Sequence, residues 1–518
     1  MKIFNPVLII SGLFFAFITR IALPFNKVFT EHGIVLNTPD AYAMVRHADV
    51  EAFVNGIDYF SIFPEGVVIS KLFYSSIISV LSNLTGTTTL FISALLPPIL
   101  FFLTAYAVYW IASILFEYRA GAISVFMLCI LPGEFLNRTM LGAGDYHCLE
   151  IAIVSFIMLF VVTMITVPHN LVKVLLAIGI VGLYIAFRTA FSWPKEMILI
   201  AIILISALIT GFFYLCKTNI AKILYLAIIT FCITLVYVNF SAYMPVRLLS
   251  FIDPRSYVTE EMTFFFTNGQ FDLMPMMAYF GITFYVVLFG IGWLIYRVFK
   301  YQRAGEVVLL VWTVVMFTIM LCMRRWEYYF AINAAIITAF VIVKFTEMIS
   351  RKNAVRMLLI VAIAICLPLG RQSIVTADSD YGYPDKHWIE TCEYLQSQND
   401  SDYEAAYYTG EKPAYGAFSA WTYGYWIQTI GHQAVWSHNG AGDRKMERSL
   451  LLASDEQAAL EYLRDAKIRY VILSGEMFKF QSLQSDNVTF MYKAYEGQIA
   501  DLELVNWSGN VKVLRIRN

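Results

Sequence analysis

Residues 88–113 read TTLFISALLPPILFFLTAYAVYWIAS and contain no charged side chain. A hydrocarbon core about 30 Å thick is crossed by about 20 residues of helix, so this run is long enough to span a bilayer. Similar runs lie on both sides of it, at 6–24, 119–135, 148–167, 172–191, 196–215, 220–243, 277–299, 305–323, 328–347 and 354–371. The chain is therefore expected to cross the membrane eleven times as a polytopic α-helical protein. Composition agrees, with 59% hydrophobic and 14% charged residues in 518, against about 25% charged in soluble domains. A soluble enzyme is excluded, and the balance of 37 basic to 38 acidic residues gives no basic surface for nucleic acid.

The first run follows Lys2 and has no small-residue cleavage site after it, so it is read as a retained span with a cytoplasmic N-terminus. Arg119, Lys173, Lys217, Lys222, Arg297, Lys300, Lys344 and Arg351 then fall in connections that alternate to the cytoplasmic side. An odd number of spans places the C-terminus outside a prokaryotic cell membrane. Two domains are expected: a membrane domain over 1–371, and an extracytoplasmic soluble domain of mixed α/β structure over 372–518. Two outer connections, about 26–87 and 244–276, are too long to be turns, and long loops tend to carry function. Six of the seven cysteines lie in or beside apolar runs and Cys392 alone in the soluble part, which argues against a disulfide framework.

On this topology Asp40, Asp145, His147 and Glu260 converge on the outer side. Asp145 and His147 stand two apart in Gly-Asp-Tyr-His at the start of a helix. Oxygen ligands with one imidazole suit Mn²⁺ or Mg²⁺ better than a structural zinc site. Arg325, in Arg324-Arg325-Trp326-Glu327-Tyr328-Tyr329, and Arg138 lie on the same side, against the positive-inside bias, and a guanidinium pairs bidentately with phosphate. A lipid-borne phosphate beside a divalent metal is the expectation; snorkelling arginines and solvated loop carboxylates are the plainer alternatives.

Together these segments resemble the catalytic subunit of oligosaccharyltransferase, most of all the single-subunit archaeal enzymes. Asp40-Ala-Tyr-Ala-Met-Val-Arg46, Phe63-Pro64-Glu65-Gly66 and Leu131 to His147 resemble the family's first outer loop and second acidic motif. Tyr257-Val258-Thr259-Glu260 resembles its short acidic motif in the second long loop, with Glu261 as an alternative acid. Arg325-Trp326-Glu327-Tyr328-Tyr329-Phe330 resembles its arginine and paired-tyrosine segment, and Ala420-Trp421-Thr422-Tyr423-Gly424 its Trp-Trp-Asp-Tyr-Gly signature. The signature lacks its first tryptophan and its aspartate, eleven spans stand against the family's thirteen, and Glu476-Met477-Phe478-Lys479-Phe480 is only weakly similar to the family's lysine-containing helix.

The resemblance implies a glycosyltransferase of the GT-C architecture. It would move a glycan from a polyprenyl (dolichyl) phosphate or diphosphate carrier to asparagine side chains of exported polypeptides, acting as a single subunit. Asp40 and Glu260 would accept the two amide N–H groups of the acceptor, and Asp40, Asp145, His147 and Glu260 would hold the metal. Arg325 and Arg138 would bind carrier phosphate. Trp421, Thr422, Tyr423 and Gly424 would meet the acceptor, although Thr422 offers a neutral hydroxyl where the family has a carboxylate. A related glycosyltransferase with another acceptor, a transporter and an inactive scaffold remain alternatives, and the aromatic cluster around Trp421 is otherwise a plain domain core.

Overall fold

The computed structural model describes residues 4–50, 56–68, 72–190, 195–215, 264–267, 270–349, 360, 362–380, 382–438, 442–479 and 488–517. The expected span at 220–243, Glu260, Glu261 and Phe480 lie outside the described residues, as does the side chain of Lys479.

Six described helices are long and apolar enough to cross a membrane: Pro6–Val28, Thr89–Leu115, His147–Thr166, Thr283–Tyr301, Ala304–Cys322 and Arg324–Met348. Four shorter apolar helices, Tyr118–Ile130, Asn170–Ala186, Ile198–Phe213 and Ile363–Ala377, fall at other expected spans. The run expected over 119–135 is cut short because Pro132 follows: Leu131 takes φ −68° and ψ 126°, the extended conformation that a residue before proline prefers. Likewise the run expected over 277–299 divides into Met274–Tyr279 and Thr283–Tyr301, with Gly281 at φ +53° between them.

The chain folds into two compact units. The first comprises residues 1–25, 97–141 and 147–379, and its described elements are helical apart from the paired strands Phe266–Thr267 and Gln270–Phe271. At its centre the helix Glu327–Met348 is buried along residues 327–343. A helix apolar on every side has no solvent face and is enclosed by others. It packs against Tyr118–Ile130, Thr283–Tyr301 and Ala304–Cys322. Its Asn333 Nδ2 donates to Thr313 Oγ1 at 3.2 Å, a polar tie between apolar helices.

The second unit comprises residues 26–96, 142–146 and 380–518. Its four-stranded sheet runs in the order Gly416–Phe418, Ile468–Ser474, Val511–Ile516, Leu502–Ser508; the first pair is parallel and the others antiparallel. Asp385, Asp400, Asp443 and Asp455 cap the helices Lys386–Ser397, Ser401–Thr409, Arg444–Leu451 and Glu456–Asp465 by accepting backbone N–H bonds. The expected boundary at 371/372 assigned the segment 26–87 to the membrane part; the structure groups that segment with 380–518 instead. The reason is packing. The helix Pro39–Asp49 buries Ala41, Tyr42, Ala43, Met44, Val45, Arg46 and Ala48 and lies against Gly424–Thr429. Phe63 N donates to Val435 O at 2.8 Å and Val435 N to Phe60 O at 3.1 Å. A segment with only two-residue strands of its own has too little surface to bury alone.

Candidate active site

In the second unit Thr38 caps the helix Pro39–Asp49 by accepting from Ala41 N at 3.1 Å, and Pro39 starts it. Asp40 thus stands in the first turn, where the helix dipole favours a carboxylate, and is half-buried. Asp145 belongs to the same unit and is fully buried. The chain reaches it through Gly142, whose φ of +84° suits glycine and whose carbonyl accepts from Asn37 N at 3.1 Å. That bond ties the Asp145 segment to the stretch just before the Asp40 helix.

Ala420 is buried, and Trp421–Tyr423 form one 3₁₀ turn ahead of the helix Gly424–Thr429. Trp421 and Thr422 are half-exposed, whereas Tyr423, Tyr425 and Trp426 are 5%, 6% and 9% exposed. Tyr423 stacks on Trp388 at 4.1 Å, Trp426 meets Trp388 edge-on at 5.7 Å and Tyr425 stacks on His438 at 4.2 Å. Most of the aromatic cluster is thus domain core, leaving Trp421 and Thr422 at its edge. Thr422 Oγ1 is buried and has no hydrogen-bond partner among the described residues.

Gly424 is helical, with φ −54° and ψ −46°. Glycine is required because a Cβ there would stand 2.2 Å from Ser437 O and 2.7 Å from His438 Cβ. Beneath the turn lies a residue the sequence reading missed. Glu447, 1% exposed, accepts from Trp421 N at 2.9 Å through one oxygen and from the Ser437 hydroxyl through the other. Buried polar groups are expected to be paired, and this carboxylate holds the backbone of the signature turn.

In the first unit His147 opens the helix His147–Thr166 and is fully buried. Its Nδ1 lies 2.7 Å from Glu150 Oε2, which also accepts from Tyr329 OH at 2.8 Å; Tyr328 OH is 3.1 Å from the same Nδ1. Arg325 Nη2 lies 3.3 Å from His147 Nε2. A guanidinium has only donors, so Nε2 must be the acceptor and Nδ1 carries the proton toward Glu150. A carboxylate behind Nδ1 with a lone pair on Nε2 is the tautomer a metal-binding histidine needs. Glu150 is visible in the sequence, since i+3 shares a helix face with His147, but it passed unnoticed within an apolar run.

Arg325, in the 3₁₀ turn Arg324–Trp326, is half-buried, while Arg324 and Arg138 are 6% exposed. Arg138 Nε lies 3.6 Å from Glu134 Oε2, an ion pair one helical turn apart. Among the described residues no three His, Cys, Asp or Glu side chains converge as a metal-ligand set. The donor types, two carboxylates and an oriented imidazole, nonetheless fit an oxygen-preferring divalent ion.

No family model matches the chain. It is 24% identical to dolichyl-phosphooligosaccharide-protein glycotransferase 3 of Archaeoglobus fulgidus, over 88% of this chain and 68% of the relative. The fold matches the archaeal oligosaccharyltransferase AglB of the same organism, solved with an inhibitory peptide and a dolichol-phosphate, at a TM-score of 0.74 and 20% identity over 93% of this chain and 71% of that one. It also matches an oligosaccharyltransferase of that organism solved with zinc and sulfate, at a TM-score of 0.70 and 19% identity over 94% and 71%. The resemblance read from the motifs thus extends over most of the chain, and the protein is similar along that length to archaeal oligosaccharyltransferases and shares their fold, a helical membrane part with a soluble C-terminal region.

Proposed function

We propose that the protein transfers a glycan from a dolichyl-type phosphate or diphosphate carrier to asparagine side chains of exported polypeptides. The observation that carries this reading is that the helix bearing Asp40 packs directly on the helix that continues from Trp421-Thr422-Tyr423. An acid for chemistry and a segment for acceptor recognition share one folded body. The proposed topology places that body outside the membrane, with a cytoplasmic N-terminus and the region 372–518 extracytoplasmic, where exported chains and lipid-linked glycans meet.

The chemical difficulty is the nucleophile. An amide nitrogen delocalises its lone pair, a conjugation whose strength is seen in the peptide rotation barrier of about 18–20 kcal/mol. Asp40 would accept an amide N–H of the acceptor and favour a twisted amide, with Glu260 as its partner from the second long loop. Asp40, Asp145, His147 and Glu260 would hold Mn²⁺ or Mg²⁺, which when bound supplies Lewis acidity toward the departing phosphate. Glu150 would keep His147 in the tautomer that leaves the lone pair on Nε2, where Arg325 Nη2 now meets it, and Arg325 would donate to carrier phosphate. Trp421 and Thr422 would meet the acceptor from the edge of the core, on a turn held by Tyr423 stacking and the close approach at Gly424.

A second reading is favoured by Thr422, whose neutral hydroxyl replaces the family's carboxylate: a related glycosyltransferase with an acceptor other than Asn-x-Ser/Thr. One experiment separates the two. Purified protein is incubated with lipid-linked glycan extract and a peptide panel including Asn-x-Thr, Asn-x-Ala and Gln-x-Thr, and products are read by mass spectrometry. Glycan on asparagine is expected. Transfer to lipid or to hydroxyl groups, with no product on any asparagine peptide, refutes the proposal.

A further inference from the structure

Arg46 stands in the last turn of the helix that begins with Pro39 and Asp40. Its Nη2 donates to Asp58 Oδ1 at 2.7 Å and its Nε to Asp58 Oδ2 at 3.1 Å, a fork-to-fork pair, while its Nη1 donates to Tyr407 O at 3.0 Å. The guanidinium lies over the Tyr407 ring at 4.1 Å and near Phe60 at 5.4 Å. Asp58 also accepts from Phe60 N, from Ser61 Oγ at 2.6 Å and from Gln428 Nε2 at 3.3 Å; Gln428 Nε2 further donates to Ser61 Oγ at 2.8 Å. Gln428 is fully buried and belongs to the helix Gly424–Thr429, which follows the Trp421 turn without a break. Side-chain exposure is 3% for Arg46 and 5% for Asp58.

A buried ion pair is weak evidence of stabilisation, because apolar residues of the same volume often serve as well. What it supplies that apolar packing does not is direction: five guanidinium donors in a fixed plane admit one placement of the groups that receive them. The links are continuous. Asp40 and Arg46 share one rigid helix, Arg46 grips Asp58 and Tyr407, Asp58 receives Gln428, and Gln428 sits on the helix continuing from Trp421. Burial pushes the Asp58 carboxyl up, and the adjacent Arg46 outweighs it to hold that carboxyl below its ordinary range, as expected of a permanently ionised member.

We infer that Arg46, with Asp58 and Gln428, is a positioning residue that fixes the Asp40 helix against the acceptor-meeting segment, so that acceptor use depends on this brace. The inference rests on the proposed function. Neither Arg46 nor Gln428 touches donor or acceptor in it. Lysine keeps the charge of Arg46 but loses the fork; leucine at 428 removes one arm and leaves the Arg46–Asp58 pair in place.

The test uses full-length protein in lipid nanodiscs, with Arg46→Lys, Gln428→Leu and the double variant. Acceptor KM is expected to rise about tenfold in each single variant, the scale of one hydrogen bond to a charged group, with donor KM within about twofold. Backbone hydrogen exchange should quicken in 39–49 and in 424–429 together, whichever helix carries the change. An exchange response confined to the substituted helix overturns the brace, as does an equal rise in donor and acceptor KM. If Arg46→Lys does not fold, Gln428→Leu decides. If wild-type protein transfers glycan to no peptide, the proposed function fails on its own, and the exchange measurement still decides whether the two helices are coupled.

Discussion

Replacing Glu447 should loosen the signature turn while leaving in place every side chain proposed to act on donor or acceptor. The carboxylate is 1% exposed and pairs with Trp421 N and the Ser437 hydroxyl. A hydrogen bond to a charged group contributes about 1.5–3 kcal/mol, and a buried donor left unpaired costs about 1–3 kcal/mol. Trp421 is half-exposed, so water can recover part of its N–H bond; the Ser437 side, 3% exposed, cannot be rescued that way. Glu447→Ala is therefore expected to destabilise the unit by about 2–4 kcal/mol, while Glu447→Gln, which keeps an acceptor and the volume, should cost about 1 kcal/mol. For a unit of this size each kcal/mol lowers Tm by about 2–4 °C, a difference readily resolved by calorimetry. Below that Tm the folded alanine variant should show acceptor KM raised about tenfold and the glutamine variant by less, since about 1.4 kcal/mol of lost ordering is tenfold in affinity. Donor KM should hold in both. An alanine variant that unfolds early but binds acceptor normally would refute the reasoning, because Glu447 would then serve the core and not the turn.

Asp40→Ala or Asp145→Ala should abolish transfer while membrane insertion persists, and EDTA should do the same reversibly; full activity in chelator without added metal would refute the metal assignment. Glu150→Leu removes the acceptor behind His147 Nδ1 and should weaken metal affinity about 10–100-fold, read by metal titration with transfer as a second signal. A reporter fused after Arg517 should work only as an exported reporter, and cytoplasmic activity there would overturn the topology. Thr422→Asp together with Ala420→Trp should sharpen discrimination of Asn-x-Thr from Asn-x-Ala by about tenfold or more, since a charged partner binds a hydroxyl more strongly than a neutral one; a wild-type protein that already rejects Asn-x-Ala would count against that view of Thr422.

Membrane helices were legible because hydropathy is a local property. Every described long span falls where an apolar run predicts it, and the deviations have local causes, such as Pro132 ending the helix at Ile130. Site candidates could be named where chemistry is written in neighbours, Asp145 with His147 and Arg325 with Tyr328 and Tyr329, and their roles are proposals. What escaped is what long-range packing decides. Asp58 and Gln428 meet across 370 positions, and Trp421 and Glu447 across 26, with no pattern in either segment to announce the partner.

The same distinction explains why composition divides the chain at 371/372 while packing groups 26–96 with 380–518. Composition changes there because the chain leaves its apolar helices, but a folded unit is defined by which surfaces bury one another. Residues 26–96 are as polar in places as the C-terminal region, and the sheets described in them are pairs of two-residue strands. They pack on the backbone at Val435 and on the Gly424–Thr429 helix. The consequence bears on chemistry, because Asp40 and Trp421 then belong to one folded unit. A change that weakens the joint, at Arg46, Asp58 or Gln428, should alter acceptor use before it alters the chemistry of the donor.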